Sequence, residues 1–370
     1  MSAYEPSVGG TRGVHPGGPD LDDAAALRAA DVTGALLHAA MGGGQVRGVA
    51  TAVAGGALDA LRGGRPRAVV WVTGRSARAR QAAGVVAALA AAWGGHPVPP
   101  LVVGRSLPPW AGALDVVLVS GDDAGDPELA AALSTAARRG ADVVTDLPAE
   151  GPVRDAADTH TLWLPPLPYL PPYRGTLHHV AAGMAVLSAL GAGGLDVAAA
   201  ADAVDAELEG LGPELATPVN PAKLLAHSAG GSDPLVWVHA DPVAEAVGAR
   251  AVAALADAGR VTASTPLADE LRASAERTAS GATGGDPLER LFHDDEIDGT
   301  WTGTVVRHLG MVCHADAEAV RAEAEPLGDV EWVTGGGRDA AGSVPAGSGE
   351  VVALMSRIEL AAAYLLVGGL

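Results

Sequence analysis

The chain has 370 residues, 48% of them apolar, yet its aromatics are only seven Trp, four Tyr and one Phe, so Ala, Val and Leu must fill any interior. That length suits two domains of roughly 150 residues with an accessory segment, and fifty Gly with 26 Pro stay below the level that marks disorder. Against 24 Lys and Arg stand 44 Asp and Glu, a formal net charge of −20 that argues against nucleic acid as a partner.

Lys223 is the sole lysine, and Cys313, the sole cysteine, can form no disulfide within the chain, which fits a reducing cytoplasm. The N-terminus lacks an apolar signal core, and the apolar helix candidates at 82–93 and 360–367 fall short of the roughly 20 residues a span needs. A soluble cytoplasmic protein with no membrane partner is expected.

Residues 1–19 are polar and rich in Gly and Pro and read as a tail. Asp20 or Asp22 is expected to cap a helix running through Leu27, and a second helix is expected over 45–61, ended by Gly63 and Gly64. An alternation follows. Apolar, β-branched runs at 68–73 (AVVWVT), 101–103, 115–120 (DVVLVS), 141–145 (ADVVT) and 161–164 (TLWL) are separated mostly by Ala-rich helical stretches at 77–93, 127–139 and 173–190. Strands that are apolar throughout, each followed by a helix, indicate a parallel sheet covered on both faces.

A helix over 197–211 and the turn Gly212-Pro213 read as a linker. A second copy of the pattern comes next, with strands at 235–238, 261–264, 305–312 and 330–334 and helices at 242–258, 266–278, 315–323 and 351–366. SGATGGD, at 280–286, is a loop by composition. The expected organisation is a helical extension over 1–64, a first α/β domain over 65–212 and a second over 213–370: two open parallel-sheet sandwiches in tandem. Ligands of such sheets sit beyond the carboxyl ends of the strands, which directs attention to the loops after Thr73, Ser120 and Thr145.

The first of these loops, TGRSARAR, runs a strand through Gly74, Arg75 and Ser76 into a helix. Backbone donors at a helix N-terminus with a hydroxyl and nearby arginines form a usable phosphate pocket; a tight turn with solvated arginines is the plainer alternative. The second, SGDDAGDPE, carries Asp122, Asp123, Asp126 and Glu128 around a helix start, where carboxylates suit the macrodipole as caps but repel phosphate; a divalent cation is the alternative ligand, though a helix N-terminus is the wrong end for one. The run FHDDEIDG sets His293 among carboxylates, either as a general acid or base or as a solvated acidic loop. His178 and His179 are adjacent on a helical stretch and face about 100 degrees apart, which suits no shared metal. No HExxH or CxxC spacing occurs, so neither a metal nor a cofactor is expected.

The order of these segments resembles the bifunctional phosphoglucose and phosphomannose isomerase family, built from two sugar isomerase (SIS) domains, and in particular its divergent actinobacterial TobH-like members. The resemblance spans roughly residues 65–367. It rests on AVVWVTGRSARA, PLVVGRSLPPW, DVVLVSGDDAGDPE, ARRGADVVTD, LPPLPYLPPYRGTLHHVAAGMAVLSALG, NPAKLLA, FHDDEIDG and SRIELAAAYLLVG in that order. It implies a sugar phosphate as ligand, Gly74, Arg75, Ser76, Ser120 and Arg174 as its binding residues, Asp257 and His293 as counterparts of the catalytic Glu and His, and a homodimer for which Trp163, Tyr169 and Tyr173 are interface candidates. The departures are chemical. Only Ser120 and Gly121 stand for a hydroxyl-rich phosphate loop, Asp257 is one methylene shorter than Glu, and a late Lys has no counterpart. Two expectations follow: an aldose–ketose isomerase of the glucose 6-phosphate or mannose 6-phosphate to fructose 6-phosphate type with weak or degraded catalysis, or a non-catalytic SIS protein that regulates or binds a partner in sugar-phosphate metabolism.

Overall fold

The computed structural model describes residues 18–95, 98–171, 174–280, 305–334, 345 and 347–369. Three short helices come first: α1 (Ala24–Ala30), α2 (Ala35–Ala40) and α3 (Gly42–Ala54). Neither expected aspartate caps α1. Asp23 does, accepting the Ala25 and Ala26 N–H groups. The helix begins later than the sequence suggested, which leaves Asp22 to reach across to Thr217 and accept both its N–H and its hydroxyl at 2.7 Å. The helix expected over 45–61 stops at Ala54, because Gly56 turns the chain at φ +90 before a single 3-10 turn at Asp59–Leu61.

The first sheet follows, with β1 (Ala68–Val72), α4 (Ala77–Trp93), β2 (Leu101–Gly104), β3 (Asp115–Val119), α5 (Pro127–Arg138), β4 (Asp142–Thr145), α6 (Gly151–Ala156) and β5 (Leu162–Trp163). Its order is β2-β1-β3-β4-β5, parallel throughout. Helices α7 (Thr176–Ala189), α8 (Val197–Glu209) and α9 (Pro221–Ala229) lead to the second half. There β6 (Leu235–His239), α10 (Pro242–Asp257), β7 (Ala263–Pro266), α11 (Leu267–Ala279), β8 (Arg307–Met311), α12 (Ala317–Ala324) and β9 (Val330–Val333) form a parallel sheet of order β7-β6-β8-β9, closed by α13 (Ser348–Gly368).

The continuous apolar runs have a simple cause. Alternate residues of one strand enter different cores, since strand side chains point to opposite faces. Val69, Trp71, Val116, Leu118 and Val144 join a large core, whereas Val70, Val72, Val117, Val119 and Val143 join a smaller outer one under α5 and α6. Leu235, Trp237, Leu309 and Met311 of the second sheet enter that same large core, while Val238 packs in a separate outer layer. One interior is therefore shared by both sheets. Ala-rich α4 lies close against α7 and α10 across it.

Two helices differ from their sequence reading. α8, read as part of a linker, is packed between α3 and α13. α13 has 21 residues and is long and apolar enough to cross a membrane, longer than the 351–366 stretch suggested, but its apolar window is 83% buried inside the protein, against α8, α9 and α2. It is a core helix.

Candidate ligand cleft at the mouth of the first sheet

Strand order reverses at β1, whose neighbours β2 and β3 lie on opposite sides, so the loops after β1 and β3 diverge and open a crevice at the carboxyl ends of the strands. A cleft of about 410 Å³ opens there, lined by Arg75, Ser76, Asp122, Asp123, Asp126 and Glu128 among others. The loops are built as their sequences require. Gly74 turns at φ +52, and a Cβ there would stand 2.8 Å from Leu129. Ser76 caps α4, its hydroxyl accepting the Ala79 N–H at 3.0 Å. Asp126 caps α5 through the Glu128 N–H at 2.8 Å, as the carboxylate-rich helix start suggested.

Charge is not distributed for easy anion capture. Arg75 extends into solvent and pairs with Glu128 at 3.0 Å. Arg78 pairs with Asp257 at 2.5 Å, linking the start of α4 to the end of α10, and its positive charge also reaches Asp122. Asp257 is thereby brought beside the first loop, with its carboxylate engaged. Ser120 is fully buried; its hydroxyl accepts the Trp71 indole N–H at 2.8 Å and donates to Asp146 Oδ2 at 2.9 Å. Arg174 lies outside this cleft, in a small cavity with His38, Gln45 and Glu359, and its backbone carbonyl accepts from Gln45 at 3.3 Å. His293 and Tyr173 lie outside the described residues, while Tyr169 is exposed and Trp163 half-buried.

Beneath the cleft is a constellation that the sequence reading passed over. β4 ends in Thr145 and the next residue, Asp146, is a buried carboxylate. His179 Nδ1 donates to Asp146 Oδ2 at 2.8 Å, and its Nε2 stands 3.8 Å from Asp122 Oδ1. Burial by itself would drive the imidazole toward neutrality, but the negative charges of Asp146 and Asp122 outweigh it and raise the pKa to about 9. Burial likewise opposes ionisation of Asp122, yet His179, Ser76 and the charge of Arg78 hold it below the ordinary carboxylate range. Adjacent His178 goes the other way: burial dominates and lowers its pKa, and Nε2–H donates to the Asp146 carbonyl at 3.1 Å. Neighbouring histidines on one helix are thus pushed in opposite directions. Among the described residues no group of His, Cys, Asp and Glu is arranged to hold a metal ion. The sequence signal for this constellation was an HH pair inside an otherwise apolar helix, together with a carboxylate closing the fourth strand.

No family model and no curated protein matches the chain. Solved structures do. A provisional phosphosugar isomerase from Silicibacter pomeroyi DSS-3 superposes with a TM-score of 0.55 at 17% identity, covering 89% of this chain and 97% of its own. The C-terminal domain of glucosamine-fructose-6-phosphate aminotransferase from Francisella tularensis gives 0.54 at 8% identity, covering 90% and 96%. Tagatose-6-phosphate ketose/aldose isomerase from Escherichia coli gives 0.52 at 10%, covering 90% and 91%. Likeness at these identities speaks to fold alone: the chain has the two-sheet, tandem SIS fold of phosphosugar isomerases.

Proposed function

We propose that this protein binds a sugar phosphate in the cleft between the β1 and β3 loops and that its aldose–ketose turnover, of the glucose 6-phosphate or mannose 6-phosphate to fructose 6-phosphate type, is weak or absent. The fold and the position of the cleft support a sugar-phosphate ligand. The observation that carries weak catalysis is the state of Asp257, whose carboxylate is held by Arg78 at 2.5 Å. Isomerisation needs a base poised between C1 and C2 and a phosphate anchor that keeps the sugar in register. The Asp257 carboxylate is turned to Arg78 rather than left open for a substrate proton, and Ser120 has no free hydroxyl to serve as anchor. Ser76 and Arg75 are the groups proposed to meet the anion, without Arg174, which lines a different cavity, in a cytoplasmic homodimer with Trp163 and Tyr169 near its interface.

A second reading, a non-catalytic SIS module that senses a sugar phosphate or binds a partner, is favoured by the acidic lining of the cleft. A coupled assay on glucose 6-phosphate, mannose 6-phosphate and fructose 6-phosphate separates the two. Clear turnover in the wild type that both Asp257→Ala and His293→Ala abolish would refute weak catalysis and establish those residues as the catalytic pair. In calorimetry, Ser76→Asp should weaken sugar-phosphate binding, whereas Asp122→Asn should leave it unchanged or improve it; the reverse ranking would mean that the loops are wrongly assigned. Sedimentation at micromolar concentration showing a 36.6 kDa monomer would remove the dimer.

A further inference from the structure

We infer that His179 is the cationic group that meets the ligand's anion at the floor of the cleft, and that Asp122 is an internal counter-ion which the bound anion displaces. The inference rests on the cleft being an anion site, as proposed above, and deepens it by naming the recognising group. His179 is fixed from behind. Its Nδ1–H donates to Asp146 Oδ2, and that oxygen also accepts Ser120, which in turn accepts the Trp71 indole. Three consecutive contacts of 2.8 to 2.9 Å hold the ring, with Nε2 3.8 Å behind the Oδ1 of Asp122, a residue that lines the cleft.

What Nε2 meets there is an unfinished contact. The ring is 3% exposed, yet Nε2 has no hydrogen-bond partner among the described residues, and neither has Asp122 Oδ1, 3.8 Å away. A buried cationic N–H without an acceptor is costly, and buried donors are normally paired. The two groups also differ in freedom. His179 sits within α7 under both sheet and helices, whereas the Asp122 side chain is 30% exposed on the loop after β3 and can turn toward solvent. An anion arriving beside Ser76 would find the hydroxyl proton of that residue, Arg78 nearby and the imidazolium N–H, each of which faces Asp122. Charge-assisted hydrogen bonds to phosphate are the stronger kind. The geometry therefore describes a site that its own carboxylate covers loosely, and not one that is acidic throughout.

The test uses the full chain, with inorganic phosphate and fructose 6-phosphate as separate probes, and reads the ¹⁵N resonances of the His179 ring in the wild type together with affinities for the wild type, His179→Gln and Asp122→Asn. The expected result is that phosphate shifts the His179 Nε2 resonance, that His179→Gln weakens binding by about tenfold or more, and that Asp122→Asn strengthens it. If inorganic phosphate moves His179 but fructose 6-phosphate binds no better than phosphate, the assignment of His179 stands and the sugar-phosphate reading falls. If fructose 6-phosphate binds while the His179 resonance stays still, the assignment of His179 is overturned and the sugar-phosphate reading stands. Absence of binding by both probes overturns both. The wild-type spectra decide the matter even if His179→Gln fails to fold.

Discussion

Replacing Asp146 with Asn should expose how much the buried pair beneath the cleft contributes to stability. The side chains of His179 and Asp146 are 3% and 0% exposed, so solvent screening takes little from their interaction. A histidine raised from 6.5 to about 9 on folding contributes on the order of 3 kcal/mol, since each pKa unit is about 1.4 kcal/mol. The folded pKa is the higher one, so this stability is fully present below pH 6.5 and is lost as pH rises through about 9. Asp146→Asn removes the principal counter-charge, burial then dominates, and His179 becomes neutral near pH 7. Urea unfolding at pH 7 should show a loss of roughly 3 kcal/mol, within the range for breaking one partner of a buried pair, and the gap to the wild type should narrow at pH 10. Taking the difference between the two proteins cancels other groups that titrate in that window. A variant within about 1 kcal/mol of the wild type at pH 7, or a gap that does not change with pH, would refute a charged His179.

Three further outcomes are expected. Gly183→Ala on α7 should destabilise by about 3 kcal/mol in thermal or urea unfolding, because a Cβ there would overlap the Trp71 ring, which its hydrogen bond to Ser120 keeps from moving aside. Arg250→Met should cost about 3 kcal/mol or more by stranding Glu359, which Arg250 contacts at 2.6 and 3.0 Å, and a double variant with Glu359→Leu should regain most of the loss in the same unfolding assay. Asp241→Ala should cost about 2 kcal/mol and raise amide hydrogen exchange at residues 313–315, whose N–H groups the carboxylate accepts while it also caps α10; Asp241→Asn should lose less.

The sheets were legible because burial on both faces leaves a plain mark: AVVWVT and DVVLVS lack any polar alternation, and both became central strands with every residue buried. The loops after them were legible as strand-to-helix turns because such turns carry Gly, Ser and Asp for local reasons that survive in isolation. The α1 cap was misplaced by the run Asp20, Asp22, Asp23, in which each aspartate can cap and only the tertiary contact with Thr217 removes Asp22 from contention. His179 was hidden for a different reason. Its partner Asp146 lies 33 residues away, on a different element, and the value of a histidine depends on which carboxylate faces it. Adjacency in the sequence says nothing of the burial that lowers the pKa of His178 or of the carboxylates that raise that of His179. For Ser120, too, nothing local reveals that Trp71, 49 residues earlier, donates to its hydroxyl.

The two halves repeat one architecture but treat their sheet mouths differently, and a single carboxylate in each makes the difference. At the second mouth Asp241 Oδ2 accepts the N–H groups of Cys313, His314 and Ala315 at 2.9, 3.1 and 3.4 Å while Oδ1 caps α10. Those amides converge as they would on a bound anion, and the chain's own anion already fills them. Burial lowers the pKa of His239 beside it, and Glu245 and Glu323 line the same cleft of about 290 Å³, so among the described lining residues no Lys or Arg offsets a second negative charge. Two unit negative charges 4 Å apart near a protein surface repel by about 4 kcal/mol. Displacing Asp241 would also strand three backbone donors and uncap a helix of 16 residues. Asp122 at the first mouth has no such attachments: it faces Ser76 and Arg78, stands 3.8 Å from His179, and its Oδ1 is without a hydrogen bond among the described residues. The same fold element is anchored by five N–H groups in one half and loosely held in the other, which is why the ligand is proposed for the first.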